Sequence, residues 1–387
     1  MLEHGGPDLG AQVTWDFSTN ANPMGAMAAV TQALARVDRS SYPEPSYQAL
    51  RESMARAGLG PVARLLPSAG NAEAIRRLSL AAKLAGLGAV WLPVPGYGEY
   101  RAAAQALGLK VQTYASIDDL LGRLPRSRTP ALIWVCEPCN PTGAPVEAAT
   151  WVALAQALTK ARPAVPHQLA IDQAYAPMRL DGATPMPSAL LEQAWQLWSP
   201  NKAMGCTGVR AGLMVAPVRR LPRWPDVREL APSWVMGADG VALLQAWQSP
   251  GVQATLKIQR EVWAGWMQAQ QQCLRDLGWT VQPSVVPFFL AQPPAGTDVP
   301  QMLQALREHG IKLRDATSLG LPGWCRLRAM SPEAQRALAA AWPQVWERAR
   351  PVPRVALDAA HAALAPADAE QGAGAANDPL PHQPEAA

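Results

Sequence analysis

The feature that most restricts this chain is an alternation in its middle third. Short, wholly apolar runs are separated by amphipathic stretches. The runs are "AVWLP" (89–93), "ALIWVC" (131–136), "HQLAID" (167–172), "WQLWS" (195–199) and "GLMVA" (212–216). Runs of this length with little polar alternation read as strands covered on both faces. Between them, Ala72–Leu84 and Glu99–Leu107 carry apolar residues at helical spacing. Strands alternating with helices predict right-handed crossovers and a mainly parallel sheet, hence an α/β fold. After about residue 217 the pattern changes. A long helical stretch near Val252–Leu277 leads to "VVPFFLAQ", a helix near Pro300–Glu308, the strand "WCRLRAM" and a helix from Pro332. The expected division is an N-terminal arm with part of a small domain (1–45), a large domain (46–235), a smaller α+β domain (236–350) and a tail (351–387). The tail holds 13 Ala and 6 Pro in 37 residues, too little apolar bulk to offset its ordering entropy, which predicts disorder.

Composition excludes several classes. The 387 residues allow a large buried core, and 49% hydrophobic content is that of a globular protein. A net charge of +4 with scattered cations does not make a nucleic-acid surface. The start "MLEHGGPDLG" has no basic region followed by an apolar stretch, and no window reaches the ~18 apolar residues of a membrane span. The expectation is cytoplasmic, with no membrane partner. Five cysteines do not make a disulfide framework, and "CEPC" (136–139) lacks the second ligand pair that zinc requires, so no metal is expected.

Chemistry gathers at the ends of the predicted strands. In "SAGNAEAI" (68–75) a Gly-containing turn runs into a helix, and such an N-terminus offers backbone N–H groups to an anion. Taken alone it is an ordinary helix start. "PGYGEY" puts Tyr97 in a turn after a strand, where α/β sheets bind ligands and where a ring could stack on a flat heterocycle. "CNPTG" (139–143) delivers the amide of Asn140 to the same edge, and "AIDQAY" (170–175) delivers Asp172 and Tyr175. A carboxylate ending an apolar strand needs a partner, and a cationic ring nitrogen would serve. "WSPNKAMGCTGVRAG" (198–212) sets Lys202 among small residues, with Ser199 before it and Arg210 after it. A lysine there is unusual unless its amine is used, for instance in covalent attachment to an aldehyde, with Ser199 and Arg210 as phosphate ligands. Each motif has an ordinary reading. Together they fit one ligand with a phosphate, a flat ring, a ring oxygen, a cationic nitrogen and an aldehyde: pyridoxal phosphate.

The ordered set Gly-Asn-Ala-Glu, Tyr97, Asn-Pro-Thr-Gly, Asp-x-Ala-Tyr and Ser-x-x-Lys-x7-Arg-x-Gly resembles the fold-type I pyridoxal-phosphate enzymes of the class I/II aminotransferase superfamily over about residues 1–347. The resemblance implies that Lys202 holds the cofactor covalently and later moves protons. Asp172 would pair with the ring nitrogen, Tyr97 would stack on the ring, and Asn140 and Tyr175 would hold its oxygen. Gly70, Asn71, Ser199 and Arg210 would hold the phosphate. "YPEPSY" resembles the segment whose tyrosine, here Tyr42, reaches the cofactor of a partner subunit, which implies a homodimer with shared sites. "HGG" (4–6) followed by "DFSTNANPMG" (16–25) resembles the start of the L-threonine-O-3-phosphate decarboxylases of cobalamin biosynthesis. That branch implies a small phosphorylated amino-acid substrate, decarboxylated to (R)-1-aminopropan-2-ol O-phosphate, with Asn22 facing it and His4 near its phosphate. Arg326 is the expected carboxylate ligand, and Arg328 two residues on is either a second anion ligand or a solvated neighbour. Histidinol-phosphate aminotransferases share the Asn-x-x-Pro-x-Gly core and form the alternative; a non-catalytic ligand sensor is a further one. Gln173, Glu137 and Cys139 depart from the usual family residues.

Overall fold

The computed structural model describes residues 5–160, 165 and 167–350. His4 and the 351–387 tail lie outside the described residues. In chain order, β1 (Trp15–Asp16) precedes seven strands that build the larger sheet: β2 (Leu65–Ser68), β3 (Ala89–Pro93), β4 (Lys110–Tyr114), β5 (Ala131–Cys136), β6 (His167–Asp172), β7 (Ala194–Trp198) and β8 (Gly212–Val215). Their spatial order is β2-β8-β7-β6-β5-β3-β4. The five central and far strands run parallel, whereas β8 runs antiparallel to both β2 and β7. The mainly parallel sheet expected from the alternation is present. The antiparallel strand is an addition that periodicity could not show, because β8 follows β7 through a loop with no crossover helix.

Burial explains why these strands read as continuous apolar runs. All six residues of β5 are buried. Leu132 and Trp134 pack toward Ile75 and Leu78 of the helix Asn71–Leu84, while Ile133 and Val135 pack toward Trp151 and Leu154 on the other face. Each buried side chain of this size is worth roughly 1.5–3 kcal/mol. A polar residue at any of these positions would expose the sheet to an unpaired group.

A second, antiparallel sheet has the order β12-β13-β10-β9, from β9 (Thr280–Val281), β10 (Phe288–Gln292), β12 (Arg314–Asp315) and β13 (Cys325–Arg328). Between β10 and β12, β11 (Ile311–Lys312) pairs with β1 in parallel, which fastens the N-terminal segment beside this sheet. The 27-residue helix Pro250–Asp276 starts where the Ser249 hydroxyl accepts from the Val252 N–H and Pro250 presets the first turn. Among the described residues no helix is long and apolar enough to cross a membrane.

Candidate active site

The larger sheet delivers its polar residues to one edge. Asn140 follows β5, Asp172 ends β6, Lys202 follows β7, and Arg210 lies just before β8. A cavity of about 290 Å³ opens there, walled on the far side by Arg314 and Arg326 of the smaller sheet and by Gly5 and Gly6 of the N-terminal segment.

Asp172 is buried at the cavity floor. It accepts from the Asn71 amide at 2.5 Å, the Tyr100 hydroxyl at 2.9 Å and the Ala174 N–H at 3.0 Å. Burial nonetheless pushes its carboxyl above the usual range, against these hydrogen bonds and the pull of Lys202. A buried carboxylate with three donors and a raised pKa is an environment that a further cation would complete. The Asn71 side chain serves Asp172, which leaves its backbone N–H at the helix start for an anion. Tyr100, stacked on Trp134 with centroids 5.0 Å apart, is a site residue that sequence reasoning missed. Its bond to a strand-end carboxylate 72 positions away leaves no local signal in the sequence.

Lys202 projects into the cavity, its Nζ donating to the Ser199 hydroxyl at 3.2 Å and lying 5.6 Å over the Tyr175 ring. Burial brings its ammonium down to about 8; Asp172 opposes that shift and Arg210 adds to it. The amine is therefore substantially neutral at mildly alkaline pH, the form that attacks a carbonyl. The Ser199 hydroxyl donates to Asn201 at 2.8 Å and lies beneath the wall, whereas Thr207 and Arg210 line the cavity. Gly70 caps the helix Asn71–Leu84 at φ 91°, and a Cβ there would stand 2.7 Å from Arg210 Nη2. The glycine thus makes room for a guanidinium beside free helix N–H groups, a cradle for an anion.

Tyr97 and Tyr175 face the same space. Tyr97 meets Tyr100 edge-on at 5.8 Å. Burial pushes the Tyr175 hydroxyl up to about 12, so it stays protonated and able to donate. Arg326 is buried; it donates to Asn140 Oδ1 at 2.7 Å and to the Ser18 carbonyl at 2.9 Å, and its Nε has no hydrogen-bond partner among the described residues. Burial brings its guanidinium down to about 10. Arg328 does not line the cavity, a correction of the paired expectation. One residue pair further along β13 it passes β1, where it donates to the Asp16 carbonyl at 2.8 Å. Besides Arg210 and Arg326, the cavity is lined by Arg314, which the sequence did not single out. It is the Cα partner of Arg326 across β12 and β13, and it donates to Ser318 at 2.6 Å. Only the strand register brings the two together.

Asn22 is likewise corrected. Its amide donates to the Ala203 carbonyl at 3.0 Å and to Gln259 at 2.8 Å, which ties the N-terminal segment to the loop carrying Lys202. Asn20, two residues earlier, lines the cavity instead. Gly5 packs where a Cβ would lie 2.1 Å from the Ser18 carbonyl and 3.2 Å from Arg326. Tyr42 is 76% exposed and stacked on Trp234 at 4.3 Å, away from the cavity of its own chain. No group of metal-ligating side chains occurs among the described residues.

These residues fit pyridoxal phosphate: an anion cradle at Gly70 and Arg210, an aromatic wall, a buried carboxylate, and an amine of lowered basicity. The family model for aminotransferase class I and II matches residues 12–341. Histidinol-phosphate aminotransferase of Symbiobacterium thermophilum is 28% identical over 346 residues, covering 85% of this chain and 90% of its own length. Histidinol-phosphate aminotransferase 1 of Ralstonia nicotianae is 27% identical over 348 residues, covering 84% and 87%. Among solved structures, histidinol-phosphate aminotransferase from Sinorhizobium meliloti in complex with pyridoxal-5'-phosphate aligns at a TM-score of 0.74 and 21% identity, over 87% of this chain and 91% of that one. L-threonine-O-3-phosphate decarboxylase from Porphyromonas gingivalis aligns at 0.73 and 22%, over 86% and 99%. At these identities the two structures share the fold.

Proposed function

The chain belongs to the aminotransferase class I and II family, and on that premise we propose that it decarboxylates L-threonine O-3-phosphate, with pyridoxal phosphate as its cofactor. When bound, pyridoxal phosphate supplies an aldehyde for a lysine and an electron sink for the bond that breaks. Lys202 provides the amine and afterwards holds or returns the proton at the reacting carbon. Asp172 pairs with the ring nitrogen, Tyr97 covers the ring, and Asn140 and Tyr175 hold its oxygen. Gly70, Arg210 and the N–H groups of Asn71 and Ala72 hold the phosphate, with Ser199 steering Lys202. The substrate carries two anionic groups, and Arg326 and Arg314 are the two buried cations to receive them, bidentate geometry favouring carboxylate and phosphate alike. His4 is assigned to the substrate phosphate, Asn20 replaces Asn22 as the amide facing substrate, and Tyr42 reaches the partner subunit's cofactor in a homodimer.

The observation that favours decarboxylation is the N-terminal wall, where Gly5 and Gly6 close the cavity directly against Arg326. This position of Gly5 and Gly6 supports a role for their segment at the substrate end of the site. A second reading, transamination of histidinol phosphate or a related amine, is favoured by the names of the sequence relatives. Incubation with L-threonine O-3-phosphate and trapping of CO2, beside histidinol phosphate with 2-oxoglutarate, separates the two. Release of CO2 with retention of the amino group in the product is expected; amino transfer outpacing CO2 release refutes the proposal. Lys202→Ala is expected to lose both turnover and the visible absorbance band that borohydride bleaches in the wild type.

A further inference from the structure

The N-terminal segment that walls one end of the cavity is fastened from outside it. Among the described residues, the backbone from Gly5 to Val13 makes no hydrogen bond to backbone elsewhere; the first such bond runs from the Thr14 N–H to the Gly310 carbonyl at 2.8 Å. Leu9 is fully exposed, so it gives the segment no apolar anchor. Side chains hold it instead. The Gly6 N–H donates to the Ser18 hydroxyl at 2.9 Å. Lys312, the Cα partner of Asp16 where β1 pairs with β11, donates to the Gly6 carbonyl and, at 2.5 Å, to one Asp8 oxygen. The other Asp8 oxygen accepts from Arg307, on the helix Val299–Glu308, at 2.7 Å, and from the Gly10 N–H at 2.9 Å. A Cβ on Gly10 would stand 2.3 Å from Arg307 Nη1, so this glycine admits the guanidinium. The Asp8 carboxylate is thus gripped by two cations from the smaller sheet and its helix. None of Asp8, Arg307 and Lys312 lines the cavity, and the chemistry above uses none of them.

We propose that Asp8 is a positioning residue: held by Arg307 and Lys312, it latches the Gly5–Gly10 strap over the cavity and so controls access to Lys202 and the retention of substrate on Arg326. The closed strap fits tightly, since a Cβ on Gly5 would lie 2.1 Å from the Ser18 carbonyl and 3.2 Å from Arg326 Nη2. Without the Asp8 carboxylate the strap keeps the two hydrogen bonds at Gly6, and its three glycines regain the backbone freedom that closure removes. With the strap open, water reaches Arg326 and screens its hold on an anion. The carboxylate is 44% exposed against 13% for Lys312 and 23% for Arg307, so the latch lies where dissolved salt weakens it. An ion pair that only braced the fold would alter stability and leave access to the cavity unchanged.

The test uses the full-length protein loaded with pyridoxal phosphate. Its probe is methoxyamine, a small amine that takes the cofactor off the lysine and bleaches the visible band. It is uncharged at neutral pH, so it does not respond directly to the lost Asp8 charge. Two part-exposed ion pairs shift an open–closed balance by roughly 3–10-fold. At low salt Asp8→Asn is therefore expected to bleach roughly 3–10-fold faster than wild type, and Asp8→Glu, which keeps the carboxylate, to stay near wild type. Adding Lys312→Met to Asp8→Asn is expected to give a rate no faster than the faster single variant, because both lesions open one latch. The wild type alone is expected to bleach faster in 1 M NaCl, where the Debye length is about 3 Å. Equal low-salt rates in wild type and Asp8→Asn overturn the latch, as does a wild-type rate indifferent to salt. With L-threonine O-3-phosphate, Asp8→Asn is expected to raise KM severalfold and to change kcat less; an unchanged KM overturns the link to substrate. Only this last measurement rests on the proposed decarboxylation. A wild type that releases no CO2 refutes that reading, while the bleaching rates still decide the latch.

Discussion

Asp172 is held by three donors yet has its pKa raised, because burial outweighs them. The cofactor's ring nitrogen, in the proposed function, is the cation that makes this environment favourable. Asp172→Asn keeps the volume but removes the charge and replaces one acceptor oxygen by an NH2, which can only donate. A hydrogen bond to a charged group is worth about 1.5–3 kcal/mol, so the variant is expected to bind pyridoxal phosphate roughly 10–100-fold more weakly. Equilibrium titration of the cofactor-free protein measures this, and an unchanged affinity removes Asp172 from the ring nitrogen. Lys202 makes a different prediction, on stability. Its folded value of about 8 lies below the unfolded value of about 10.4. Between these values the unfolded chain keeps a proton that the native amine has shed. The unfolded state then binds more protons, so the contribution of Lys202 to stability grows as pH rises through that window and is lost as pH falls through about 8. The full span is about 3 kcal/mol. Urea unfolding of the cofactor-free protein and of Lys202→Met, compared from pH 8 to 10, is expected to show the rise in the wild type only.

At the scale of elements, one helix N-terminus carries the argument for an anion site. The helix Asn71–Leu84 opens at Gly70, whose φ of 91° strains any side chain and whose Cβ would push the Arg210 guanidinium, 2.7 Å away, aside. Gly70→Ala is expected to cost about 1–2 kcal/mol of stability through the strained backbone and to displace Arg210, weakening cofactor binding about tenfold or more. Gly265 is the contrasting case: it lies on an exposed face of the helix Pro250–Asp276, and a Cβ there meets nothing within 4 Å. Gly265→Ala is expected to gain about 0.5–1 kcal/mol with cofactor affinity unchanged. Thermal melts of both variants check the opposed signs. The contrast also shows what a sequence can disclose. "SAGNAEAI" was legible as a turn entering a helix, and the strands leading to Asn140 and Asp172 were legible as buried runs, because those signals are local. The exchange of Arg328 for Arg314, and of Asn22 for Asn20, was not. The first depends on the register between two short strands, which pairs Arg314 with Arg326, and the second on a turn packed against a loop 181 positions away. β2 and β4 also escaped the pattern, being short or partly polar.

At the scale of the molecule, the alternation of strand and helix reached the correct fold because a parallel sheet buries both faces and leaves continuous apolar runs in the sequence. The surface leaves no comparable trace, and there Tyr42 poses the remaining question. It is 76% exposed, rests on Trp234 at 4.3 Å, and lies outside the cavity that its motif is proposed to serve. A homodimer resolves this if each Tyr42 completes the partner subunit's site. In a symmetric pair, Lys202→Ala and Tyr42→Ala then damage different halves of each site. A dimer of either variant alone has two defective sites. A mixed dimer has one site with both lesions and one site with neither. Equal amounts of the two variants, unfolded and refolded together, give mixed dimers as half of the population, so about one quarter of all sites are intact. Assayed at a cofactor concentration too low to fill Tyr42→Ala, the mixture is expected to recover about one quarter of wild-type turnover, while each variant refolded alone stays inactive. Recovery no greater than the average of the two separate variants means that Tyr42 acts within its own chain or outside the site.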